Sequence, residues 1–132
     1  MDRLAQAQFI NFPEKGVEDV AVDQNGNIYT AVGLESSSIY RIRPDNLTKL
    51  ELIAKNEGQV LGICLSPDEK KLALADQKNG LKLLDLESGV ITTLVSEFNG
   101  RKFIAVNSIT FASNTLIYFT YAGDVKMKEF HL

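Results

Sequence analysis

The chain has 132 residues, 45% of them hydrophobic and 23% charged, with a formal net charge of −3. That is enough for one domain with a real core, since a chain of this size buries about two-thirds of its unfolded surface. The 14 Lys and Arg are scattered, which excludes a phosphate-backbone footprint and with it a nucleic-acid partner. No run approaches the ~18 apolar residues of a membrane span, and "MDRLAQAQFINF" lacks the apolar block of a leader peptide. As it stands, the chain reads as cytoplasmic, or as a piece of something longer.

The segments that follow repeat. "AQAQFINF" (5–12) has the composition of one further strand. "VEDVAV" (17–22), the turn "DQNGN" (23–27), "IYTAV" (28–32), "SIYRI" (38–42) and "KLELIA" (49–54) make a first set of four short apolar runs. "VLGICL" (60–65), "SPDEK" (66–70), "LALAD" (72–76), "GLKLL" (80–84) and "VITTLV" (90–95) make a second. "VNSITF" (106–111), "ASNT" (112–115), "IYFTY" (117–121) and "VKMKEF" (125–130) begin a third, at offsets of 43 and 46 residues between the first strands. The runs are rich in Val, Ile, Leu, Thr and Tyr, several alternate with period two, and their turns hold Gly, Pro, Asn or Asp.

Four short antiparallel strands recurring every 40–50 residues indicate an all-β β-propeller. The expected division is a single partial domain over 1–132: blade 1 about 16–55, blade 2 about 59–97, and an incomplete blade 3 about 103–132. About three four-stranded blades are half of a six-bladed ring. Two open sheet faces then predict a homodimer closing into six blades, with "AQAQFINF" as the missing outer strand of the partner's third blade.

Two acids, Glu18 and Asp19, stand at the mouth of the first apolar strand. In the repeat alignment Glu18, Leu61 and Asn107 share one position, and Asp19, Gly62 and Ser108 the next. The first strand of each blade lines the channel, so oxygen atoms from several blades converge near one mouth. A hard cation such as Ca²⁺ asks for that, with six to eight oxygen ligands. The competing reading is that the first residue of a strand is polar because it meets solvent or satisfies loose backbone groups.

"GVEDVAVDQNGNIYT", "VLGICLSPDEKKLALADQKNGLKLLDLESGVITTL" and "FIAVNSITFASNTLIYFT" resemble successive blades of the strictosidine synthase-like family, which includes the adipocyte plasma membrane-associated protein family. The likeness covers residues 16 to about 123 and extends more distantly to paraoxonases and to regucalcin-type gluconolactonases. It implies a six-bladed propeller with a channel Ca²⁺, metal-ligand roles for Glu18 and Asn107, and, from the paraoxonase branch, an approach of Asp19 to a cation. Two positions depart from the pattern: Ser108 stands where the family often has Asp after "V-N", and Tyr121 where it often has Asp after "Y-F-T". The family's catalytic glutamate lies in later blades, so no catalytic residue is assigned here.

The functional expectation is calcium-assisted hydrolase-like or lyase-like chemistry on a small organic molecule at the channel mouth. The alternative is a non-catalytic propeller fragment acting as a binding or structural module, or a relic without activity. Other signals point to structure. Cys64, the one cysteine, excludes an intramolecular disulfide and reads as a buried structural thiol. "DQNGN" reads as a hairpin turn and not as a calcium loop. "NLT" at 46–48 matches a glycosylation acceptor, which matters only in a secreted chain. His131, the one histidine, has no Ser or Cys partner set. The four tyrosines sit in strand patterns and read as packing between blades.

Overall fold

A computed structural model describes residues 6–123 and 126–132. The expected strands at 5–12 and 125–130 begin on Ala5 and Val125, which lie outside the described residues.

Three antiparallel sheets follow one another along the chain. The first orders β1 (Val17–Val22), β2 (Ile28–Val32), β3 (Ser37–Ile42) and β4 (Glu51–Asn56). The second orders β5 (Val60–Leu65), β6 (Lys71–Asp76), β7 (Gly80–Asp85) and β8 (Ile91–Val95). A short ribbon, β9 (Glu97–Phe98) with β10 (Arg101–Lys102), leads to the third sheet of β11 (Val106–Ser113), β12 (Leu116–Tyr121) and β13 (Lys126–His131). Each sheet is a blade, and β5 lies between β1 and β11, so the first strands of successive blades are neighbours. The chain is a partial β-propeller. Among the described residues no helix is long and apolar enough to cross a membrane.

Period two explains the stacking. In "KLALAD" Leu72 and Leu74 point to blade 1, where they meet Tyr29, Ala31 and Ile39. Ala73 and Ala75 point the other way, and their small size leaves room for Phe103, Ile117 and Phe119 of the third unit. Large residues on one face and small ones on the other let two neighbours pack at interior density. Phe103 and Phe119 meet edge to face, with centroids 5.3 Å apart.

The outer half of blade 1's far face is covered by the chain's own start. Ile10 and Phe12 pack on Tyr40 and Ile42, and the Glu14 carboxylate accepts hydrogen bonds from Ser38 Oγ at 3.0 Å and Tyr40 Oη at 2.9 Å. The described part of "AQAQFINF" pairs with no strand of this chain. The inner half of the same face is bare: Val20 is 60% and Val22 58% exposed.

Within blade 2 a buried polar network fixes the β6–β7 turn. Asp76 is wholly buried and lies 3.0 Å from Lys82 Nζ. It accepts further bonds from Asn56 Nδ2 at 2.8 Å and from the Lys78 and Asn79 backbone at 3.1 Å. Lys82 also donates to Asn56 Oδ1 at 2.9 Å, which ties blade 2 to the last strand of blade 1. Burial pushes the Asp76 carboxyl up, but the bonds from Asn56, Lys82 and Asn79 outweigh it and hold the group below its ordinary value.

Candidate functional site

The first strand of every blade is irregular at the same place. In β1, Val17 faces Val32 and Val20 faces Thr30, so one extra residue is accommodated across Glu18 and Asp19. In β5, Val60 faces Asp76 and Gly62 faces Ala75, which makes Leu61 the extra residue. In β11, Val106 faces Tyr121 and Ile109 faces Phe119, with the excess at Asn107 and Ser108. The candidate positions are therefore the bulge positions of three inner strands. A bulge breaks the ladder and re-aims a side chain, and bulges concentrate next to binding and active sites.

Each polar bulge has a local hydrogen-bond solution. Thr30 Oγ1 donates to the Asp19 carbonyl at 2.7 Å, and Thr120 Oγ1 accepts the Ser108 amide at 3.1 Å. Both threonines stand on the second strand of their blade, opposite or next to the extra residue, and supply what the interrupted ladder leaves loose.

Glu18 and Asn107 are exposed at their bulges. Asp19 is half-buried and differs in role. Its Oδ1 accepts the Val20 amide at 2.8 Å and its Oδ2 accepts the Ile63 amide of the next blade at 2.9 Å. The carboxylate thus joins two inner strands that share no sheet. At the next seam Cys64 Sγ accepts the Phe111 amide at 3.4 Å, so the half-buried thiol serves blade-to-blade contact as Asp19 does. Gly62 is a third device at these positions. A Cβ there would land on the backbone carbonyl of Asn107, so only glycine lets β11 come this close.

The opposite ends of the inner strands are stapled too. Glu69 in the β5–β6 turn accepts the Gln24 amide of the β1–β2 turn at 3.0 Å. Asn114 in the β11–β12 turn accepts the Asp68 amide at 3.3 Å. Residues 23–27 form a tight turn in which Asp23 accepts from the Asn25 and Asn27 amides at 2.9 Å.

Glu18 and Asn107 have the oxygen chemistry of a hard cation site but are too few for one. Asp19 spends an oxygen on each of two amides. Among the described residues no group of three or more His, Cys, Asp or Glu is placed to hold a metal ion. Ca²⁺ asks for six to eight oxygens, waters included, and Glu18 and Asn107 supply part of such a shell.

Residues 2–42 match the family described as "Strictosidine synthase-like, N-terminal". No curated protein matches the chain. Among solved structures, U3-55K and the RRP9 WD40 repeats each superpose with a TM-score of 0.62 at 20% identity, over 84% of this chain and 35% and 34% of theirs. The β-propeller domain of Myceliophteria thermophila Cps50 (Swd1) superposes with a TM-score of 0.63 at 11% identity, over 88% of this chain and 38% of that one. At such identities the likeness is one of fold. The chain spans little more than a third of each structure.

Proposed function

From the premise that the chain is strictosidine synthase-like over its first third, we propose that it forms three blades of a six-bladed propeller whose channel mouth handles a small organic molecule. The observation that carries this is the recurrence of a bulge at one position in β1, β5 and β11, with Glu18 and Asn107 exposed there. A binding site at the mouth needs side chains turned out of the strand period, and bulges supply that turn.

The roles divide by geometry. Glu18 and Asn107 offer two oxygen ligands, and Asp19 holds β1 against β5 so that the two bulges keep their spacing. Water and blades outside these three supply the further ligands. A Ca²⁺ in that shell would polarise a carbonyl or activate water for hydrolase-like or lyase-like chemistry. Among the described residues the proton-moving groups at the mouth are the carboxylates of Glu18 and Asp19. Three blades alone are therefore expected to show weak or no turnover of lactones and aryl esters, and no condensation of the strictosidine type.

The test is thermal unfolding with and without millimolar Ca²⁺, since a ligand that binds only the native state raises the Tm. Wild type is expected to rise. Glu18→Gln and Asn107→Ala are expected to lose the rise while keeping the apo Tm. No shift in wild type would sink the cation part of the reading. Robust Ca²⁺-dependent hydrolysis by the 132-residue chain, lost in both variants, would show that three blades suffice.

A further inference from the structure

Asparagine followed by glycine occurs three times in the chain, at 25–26, 79–80 and 99–100. The pair carries a chemistry of its own. The glycine amide nitrogen attacks the asparagine Cγ, an approach that a residue without Cβ leaves unhindered. The new N–Cγ bond closes a succinimide and the Cγ–Nδ2 bond breaks, with the amide proton leaving as part of ammonia. Water then opens the ring at either carbonyl and leaves aspartate or isoaspartate. The reaction needs a glycine amide free to attack and an asparagine side chain free to turn towards it.

The fold ties up two of the three pairs. In the β1–β2 turn the Gly26 amide donates to the Asp23 carbonyl at 3.0 Å. Gly80 is buried and pairs with Asp76 across β6 and β7, and Asn79 Nδ2 donates to both Asp76 carboxylate oxygens, at 3.1 and 3.2 Å. Asn99 and Gly100 differ. Both are exposed, and they form the two-residue turn between β9 and β10 with φ of 50° and 72°. A Cβ on Gly100 would meet nothing within 4 Å. Such a turn closes through its flanking pair, here Phe98 opposite Arg101, and leaves its second amide outside the ladder. Among the described residues no hydrogen bond holds the Gly100 amide or the Asn99 side chain. The ribbon is short, so Asn99 can leave its turn conformation by a local opening that disturbs no blade.

We propose that Asn99 is a site of spontaneous modification, the position at which the folded chain first converts an asparagine to aspartate and isoaspartate. The nucleophile is the Gly100 amide and the co-reactant is water. Either product puts a negative charge in the turn that precedes Arg101 and Lys102. The isoaspartyl product also adds one carbon to the main chain, so the turn no longer sets Phe98 opposite Arg101. The inference is independent of the channel chemistry and of the number of blades in the ring.

Peptide mapping by mass spectrometry on the whole chain, aged in warm and mildly alkaline buffer, tests it. The mass gain of an amide becoming an acid should appear at Asn99 at least about tenfold faster than at Asn25 or Asn79, because each tied pair must first break a hydrogen bond. An isoaspartate-specific methyltransferase should label the Asn99 peptide. Ageing in urea, where no fold holds the other two pairs, should bring the three sites to similar rates. Asn99→Gln should remove the early acidic species on ion exchange and keep the β signal of circular dichroism, since glutamine closes its larger ring far more slowly. No acid at Asn99, equal rates at the three sites in the folded chain, or the same preference for Asn99 in urea would overturn the proposal. The Ca²⁺ response of Glu18 and Asn107 is read separately, so either idea can fail alone.

Discussion

Asp19 Oδ2 accepts the Ile63 amide at 2.9 Å across the seam between two blades. The bond gives one of the two acids at the mouth of β1 a structural task. A carboxylate reaches an amide that belongs to a different sheet, and no backbone carbonyl of β1 does so in its place.

Truncating that carboxylate should therefore cost stability with no ligand present. Asp19→Ala leaves the Ile63 amide without its acceptor, a loss of about 1–3 kcal/mol. Asp19→Asn keeps a carbonyl oxygen of the same reach and should retain at least half of that. Urea unfolding of the two variants at neutral pH measures the gap. Equal losses in both would mean that the negative charge matters and the acceptor geometry does not.

The turn staples should behave differently. Glu69 and Asn114 meet their amide partners in solvent, where water replaces a lost acceptor at little cost. Glu69→Gln and Asn114→Ala are expected within about 0.5 kcal/mol of wild type. A loss as large as that of Asp19→Ala would show that the turns, and not the bulged ends, hold the blades in order.

Gly62→Ala tests the close approach of β5 and β11. The new methyl group meets the Asn107 carbonyl, which is backbone and cannot rotate aside. Overpacking of this kind costs about 1–3 kcal/mol, and here it should also displace the Asn107 bulge. The expected result is a lower urea midpoint together with altered chemical shifts at Asn107 and Ser108. An unperturbed β11 would remove Gly62 from the architecture of the mouth.

Much of this frame is legible in the amino acids. "VEDVAV", "IYTAV" and "VLGICL" coincide with β1, β2 and β5, because β-branched and apolar residues in short runs between Asn, Gly and Pro leave few other solutions. The ribbon of β9 and β10 is not legible: two residues a side carry no period, and Asn99 and Gly100 turn it with positive φ. The bulges are hidden for a related reason. An extra residue shows only when two strands are laid side by side, so "VEDV" reads as alternation with two misplaced acids. Gly62 did carry a signal, since a glycine inside an apolar strand marks a close backbone approach. Asp76 and Lys82 are six residues apart in sequence and look like ordinary hairpin charges, and only stacking against Asn56 buries them.

That buried pair sets an acid limit. The Asp76 carboxyl is held below its ordinary value, so its contribution is complete above about pH 4, the unfolded value. It is lost as the pH falls through the lower folded value. Asp23 is shifted the same way, where burial is outweighed by bonds from Asn27, Tyr29 and Asn25. Stability should be flat from pH 7 to 5 and fall below pH 4. In Asp76→Asn the difference between urea midpoints at pH 6 and pH 3 should shrink. Lys82→Met, which leaves the carboxylate without its cation, should cost about 3 kcal/mol at pH 7.

The two-faced packing of "KLALAD" also bears on how the molecule opens. Among the described residues blade 2 packs on a blade at each side, Leu72 and Leu74 against one and Ala73 and Ala75 against the other. Stacked repeats behave as a one-dimensional chain in which each unit depends on its contacts with the next. In this chain on its own, outside a closed ring, fraying should start at blades 1 and 3 and reach the middle last, so the amides of β6 should be the slowest to exchange with deuterium and should report global unfolding. Blades 1 and 3, each packed on one blade within this chain, can then open while β6 stays closed.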